Sequence, residues 1–117
     1  MQLMERANRV DLKCDVDLDV DSVSFPCEAL NLSATGMALA SPARFWKNQP
    51  VWIGFESDYQ QSKLLLLGHI VRGEAREHTY LWGVHFQGLD DTLQEKLNER
   101  IQFEQSIFRN LPPILPD

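Results

Sequence analysis

Between positions 10 and 20 the chain alternates without a break. Val10, Leu12, Cys14, Val16, Leu18 and Val20 are apolar, and the residues between them are Asp11, Lys13, Asp15, Asp17 and Asp19. A helix would scatter those apolar side chains around its circumference, whereas a pleated strand puts them all on one face. The segment is therefore a strand with one face buried and the other in water. Such a strand is not stable alone, so the rest of the chain must supply partners for both edges and a cover for the apolar face.

The partners are legible as short apolar runs separated by turn residues. Asp21-Ser22 turns the chain, and 25–32 reads as a second strand, with Pro26 favouring an edge or the strand's beginning. Residues 33–36 form a turn in which Gly36 supplies a position for positive φ, and 37–40 returns as a third strand. The connector 43–50 carries Phe45 and Trp46. A fourth strand spans 51–55. A fifth spans 64–72, with both faces covered at its apolar start, and Gly73 to Thr79 reads as a turn. In the sixth, 80–86, Tyr80, Trp82 and Val84 alternate with Leu81, Gly83 and His85.

After Gly88 the period changes. Asp91 or Thr92 caps a helix, with Gln94 or Glu95 at the capping-box spacing. Leu89, Leu93, Leu97, Ile101, Phe103, Ile107 and Phe108 share an arc of about 160°. Lys96, Arg100 and Glu104 interrupt that arc, which points to a rim contact or a partner. The proline-rich tail, 111–117, cannot continue the helix and is expected to lie extended. The expected fold is mainly β: six short antiparallel strands closing into a barrel, with a C-terminal α-helix over one opening or side.

With 117 residues the chain is long enough for one core, and its parts divide as a flexible N-terminal segment (1–9), a barrel with helix (10–110) and the tail (111–117). Eleven Lys and Arg against seventeen Asp and Glu leave a net charge of −6, which argues against a sequence-blind DNA or RNA binder. That balance still permits a small anionic ligand held by a few cations. No run is apolar enough to span a bilayer and the N-terminus lacks a signal-peptide core, so a cytoplasmic location without membrane insertion is expected. Cys14 and Cys27 are expected to be free.

Catalysis has no residue set behind it: there is no nucleophile elbow, zinc-binding His pair or phosphate loop, so no enzyme and no cofactor is expected. His69, His78 and His85 show no ligand spacing and read as surface or rim residues. Asp17, Asp19, Asp21 and Glu28 match four positions of a calcium loop, but Ser22 stands where that loop needs glycine and the flanks are strands. They read as a solvated strand face.

Two short elements fit together better. Arg6 and Arg9 precede the first strand, and Asn31-x-Ser33-x-x-Gly36 forms the turn after the second. Guanidinium groups bind phosphate oxygens, pair with the O6/N7 edge of guanine and stack on bases. Asn and Ser add neutral polar groups, and Gly admits a ligand close to the backbone. The same residues are also an ordinary chain start and an ordinary turn composition.

With these motifs the chain resembles the PilZ domain, a bacterial cyclic di-GMP receptor module. Asn31-x-Ser33-x-x-Gly36 matches the family's (Asp/Asn)-x-Ser-x-x-Gly motif. Gly68 to Arg72, Leu81 to Phe86 and the following Leu89-Asp90 and helix are similar to its later strands and C-terminal helix. The resemblance covers roughly residues 5 to 108 and implies a six-stranded antiparallel barrel. It also implies cyclic di-GMP as the ligand, bound by Arg6, Arg9, Asn31, Ser33 and Gly36, with Arg72 a further candidate near the same rim.

In the family's Arg-x-x-x-Arg motif, Arg9 matches the last position, while Glu5 stands at the first and Arg6 beside it. Loss of one charge-assisted contact costs about 1.5–3 kcal/mol. The expected function is a single-domain receptor whose N-terminal segment orders over the ligand, with output through a separate downstream effector protein. The alternative is a divergent protein-interaction module in which Glu5 weakens or abolishes nucleotide binding.

Overall fold

The computed structural model describes residues 9–57 and 62–110. Six strands, β1 (Val10–Val20), β2 (Val23–Leu32), β3 (Gly36–Ser41), β4 (Pro50–Ser57), β5 (Ser62–Ala75) and β6 (Tyr80–Phe86), precede one helix, α1 (Asp91–Asn110). The strands close into a barrel in the order β1-β2-β3-β6-β5-β4, with every neighbouring pair antiparallel. Closure removes the free edges that a six-stranded open sheet would carry. It is made where Asp17, Leu18 and Asp19 of β1 lie opposite Gly54, Ile53 and Trp52 of β4.

β1 is built as its alternation requires. Val10, Leu12, Val16, Leu18 and Val20 are buried and the intervening Asp residues are exposed. The tight β1–β2 hairpin pairs Val20 with Val23. Asp21 and Ser22 have φ of 51° and 70°, the positive values that a two-residue type I′ turn needs to match strand twist. Pro26 is the fourth residue of β2, where the strand pairs only with β1; β3 joins at Glu28. Its missing N–H therefore falls on a locally unpaired edge.

The interior is aliphatic, with Leu18, Leu32, Leu39, Ile53, Leu66 and Ile70 fully buried. The connector's two aromatics separate. Phe45 packs edge-on between Phe25 and Trp82, with ring centroids 5.5 and 5.3 Å away, whereas Trp46 stays exposed. The Trp82 indole N–H donates to the Ala43 carbonyl at 3.2 Å, which satisfies its one polar atom.

Several expectations need correction. β5 starts as an ordinary half-buried strand, since Leu64 and Leu66 are buried and Leu65 is 49% exposed; the barrel has one interior, and among the described residues no element covers Leu65. Gly73 to Ala75 continue β5, and the turn is tightened to Arg76–Thr79, whose backbone groups bond each other. The helix is capped by Asp90, not by Asp91 or Thr92. The Asp90 carboxylate accepts from the Leu93 N–H at 2.8 Å, and this places Leu93 where a capping box needs Glu or Gln.

α1 packs against β1 and β5 through Leu97 and Ile101. Of the charges in its apolar arc, Lys96 is exposed. Arg100 is buried and donates from Nε to the Glu104 carboxylate at 2.9 Å, so this interruption is a contact inside the domain.

Candidate functional site

The candidate site lies on the outer wall of the barrel, across β2, β3, β6 and β5. Four residues stand in register there: Asn31 opposite Ala38, Ala38 opposite Gly83, and Gly83 opposite Arg72. Three strand spacings of about 4.8 Å separate the two ends by about 14 Å of backbone. The row has polar ends and a low middle, a floor on which a flat group can lie with hydrogen-bonding side chains on either side.

Two bulges make this row. Between Ala29 and Asn31 the β2–β3 register shifts by one residue, and between Ile70 and Arg72 the β5–β6 register does the same. Without them Leu30 would face Ala38 and Val71 would face Gly83. Each bulge substitutes a polar residue for an apolar one, a re-aiming for which bulges are common. After the inward Ile70, both Val71 and Arg72 are exposed.

Two adjoining depressions occupy this wall and share Ala38, Arg72 and Gly83. One, of about 300 Å³, adds Arg9, Gly36, Val71 and His85; the other, of about 580 Å³, adds Asn31, Glu74 and Leu81 among others. Both fall within the roughly 300–1,000 Å³ of small-molecule sites. Arg9 stands at the rim, where its Nη1 donates to Asn31 Oδ1 at 3.3 Å. Arg9 and Arg72 thus bring two permanent positive charges to one groove, in a chain that is acidic overall. Glu74, at the far end, is paired with Arg76 at 3.1 Å.

The residues singled out in sequence separate into three groups. Arg9 and Asn31 meet, and Gly36 lines the same groove as Arg9. Ser33 is only 2% exposed. Its hydroxyl accepts from the Thr35 and Gly36 N–H groups, both at 3.2 Å, and holds the turn from beneath. Arg6 and Glu5 lie outside the described residues.

Gly36 has no positive φ, contrary to the expectation for it. What requires glycine is close approach: a Cβ there would sit 2.4 Å from the Val84 carbonyl oxygen of β6. Its N–H is also engaged by Ser33, so the turn's serine and glycine shape the site's edge.

Sequence reading missed Ala38, Gly83, Val71 and His85. The outward alternation of Leu81, Gly83 and His85 was the available signal for two of them. The histidines are not independent either. His69 and His85 are opposite one another, with ring centroids 5.6 Å apart, and His69 Nδ1 lies 2.7 Å from Gln87 Oε1. Among the described residues no three potential metal ligands cluster. Among the described residues no helix is long and apolar enough to cross a membrane.

The PilZ domain of YcgR from Escherichia coli, solved with c-di-GMP, superposes with a TM-score of 0.79 at 13% identity, over 92% of this chain and 95% of that one. The Bacillus subtilis inhibitor of motility (MotI/DgrA) superposes with a TM-score of 0.78 at 13% identity, over 93% of this chain and 55% of its own. The PilZ domain of CeSA from a cellulose-synthesizing bacterium gives 0.60 at 22% identity, over 86% and 99%. No curated protein sequence matches the chain. These structural likenesses establish the barrel. The sequence model of the PilZ domain family matches residues 5–103, nearly the whole of the barrel and helix. The chain belongs to the PilZ domain family.

Proposed function

We propose that this protein is a c-di-GMP receptor domain that binds the dinucleotide on the wall between Asn31 and Arg72. The observation that carries this reading is the register row Asn31–Ala38–Gly83–Arg72, with Arg9 at its rim. The small central residues suit the face of a guanine. The guanidinium groups suit its O6/N7 edge and the phosphates. Support also comes from the YcgR PilZ domain solved with c-di-GMP and the Borreliella burgdorferi PlzA protein solved in complex with it.

In this reading Arg6 and Arg9 grip phosphate and guanine, and Asn31 orients Arg9. Ser33 and Gly36 act through the shape of the turn. Binding orders the segment before β1 against the barrel and changes the surface offered to a downstream effector. The domain works by binding, without catalysis.

Glu5 carries the second reading, a PilZ-fold interaction module with weak or no affinity for the nucleotide. Isothermal titration of wild type, Arg9→Ala and Glu5→Arg with c-di-GMP separates the two. Saturable heat from wild type, lost in Arg9→Ala, supports the receptor. A silent wild type and a binding Glu5→Arg identify the module. If neither wild type nor Glu5→Arg binds at high micromolar ligand, the assignment of this wall to c-di-GMP fails.

A further inference from the structure

A second feature lies where β4 stands between β5 and β1. On the outer face of β4 and β5, Trp52 is 46% and Leu65 49% exposed, and Leu67 stands opposite Trp52. β1 borders this apolar patch with carboxylates: Asp19 is opposite Trp52 and Asp17 opposite Gly54. Both aspartates are exposed, and among the described residues neither forms an ion pair.

We infer that this face docks a cationic amphipathic segment of a partner protein. The patch has the composition of a binding centre, an exposed tryptophan flanked by leucines, and tryptophan is enriched where interface energy concentrates. The acidic border decides among occupants. A second copy of this chain would bring its own aspartates against these, and like charges at an interface are strongly unfavourable. An anionic lipid surface is repelled for the same reason. A segment with leucine on one side and lysine or arginine along the flank satisfies both halves at once.

The two faces share β5, where Leu67 and Arg72 are five residues apart, and the patch's other strands, β1 and β4, stand opposite β3 and β6. Five residues of strand span about 16 Å, so both faces can be occupied together. The inference does not depend on nucleotide binding.

The test is a ¹⁵N NMR titration of the full chain at low salt with a Leu/Lys amphipathic peptide of about 15 residues, a length at which a helix can form. A Glu-for-Lys version serves as control. The expected result is shifts centred on Asp17, Asp19, Trp52 and Leu65, with no binding of the acidic peptide. Affinity should fall at least tenfold in Trp52→Ser and in the double variant Asp17→Asn/Asp19→Asn. Leu65→Asn serves in place of Trp52→Ser if that variant does not fold. The inference is overturned by shifts on another face, by equal binding of the acidic peptide, or by variants that bind like wild type. It is equally overturned by sedimentation of a dimer that Trp52→Ser dissolves, or by binding to phosphatidylglycerol vesicles through these residues.

Discussion

Two glycines on neighbouring strands should respond oppositely to the same methyl group. At Gly83 an added Cβ would meet Arg72 Cγ at 3.1 Å, Arg72 Nε at 3.2 Å and Val71 Cγ2 at 3.6 Å, all of them side-chain atoms. Arg72 is exposed and can swing outward. Alanine also removes the entropic penalty of glycine in a strand, about 0.5–1 kcal/mol, which offsets the small displacement. Gly83→Ala should therefore melt within a few degrees of wild type, on a scale of about 4–8 °C per kcal/mol for a domain near this size. At Gly36 the Cβ would lie 2.4 Å from the backbone oxygen of Val84, and no side-chain rotation can relieve that. Gly36→Ala must push β3 off β6, at a cost of about 1–3 kcal/mol or more.

Ligand binding should reverse the order. Gly83→Ala raises the floor of the groove and displaces the Arg72 guanidinium. The lost charge-assisted contact is worth about 1.5–3 kcal/mol, a rise in Kd of roughly ten- to a hundredfold. Thermal melts and c-di-GMP titrations of both variants provide the assay, in the Glu5→Arg background should wild type be silent. If Gly83→Ala binds as wild type does, the dinucleotide does not sit on this floor. If it melts as low as Gly36→Ala, the distinction between yielding side chain and unyielding backbone is wrong.

Other perturbations follow from single contacts. Ser33→Ala leaves the Thr35 and Gly36 N–H groups without their acceptor and should cost about 1–3 kcal/mol in urea unfolding; a wild-type midpoint would show that the hydroxyl does not hold the turn. Asp90→Ala removes the α1 cap and should cost about 0.5–2 kcal/mol, whereas Asp91→Ala should cost less, the reverse ranking excluding Asp90 as the cap. Burial pushes both the Cys14 and Cys27 thiols up, with Arg100 pulling Cys14 partly back. Because the folded state then favours the protonated thiol, their contribution is complete below about pH 8.5 and is lost as pH rises through the raised folded values. The melting temperature should fall between neutral pH and pH 10 more steeply in wild type than in the double variant Cys14→Ala/Cys27→Ala. Parallel slopes would assign the loss to other groups.

The strands were legible because each has its own local signal. The period-two run of β1 and the alternation of β6 mark buried faces without reference to any partner. β5 was misread at its start because four consecutive leucines carry no period, and only the barrel's single interior decides that Leu65 faces out. The helix cap falls one or two residues earlier than expected because Asp90, Asp91 and Thr92 are all good capping residues, and only the bond from the Leu93 N–H distinguishes Asp90. Of the candidate site, the turn with Ser33 and Gly36 was visible as a motif, but the reasons for its residues were not. Ser33 is a buried turn former, and Gly36 answers to a carbonyl on a strand nearly fifty residues away in sequence.

Local chemistry alone thus determined that this chain makes half-buried strands followed by one amphipathic helix, since alternation and turn residues act over a few positions. Register was decided only by the closed barrel. Both bulges lie on strands that are paired along both edges, β2 and β5. Those two extra residues, Leu30 and Val71, are what bring Asn31 and Arg72 to opposite ends of one floor. No spacing along the chain encodes that meeting, because it is set by hydrogen bonds between strands.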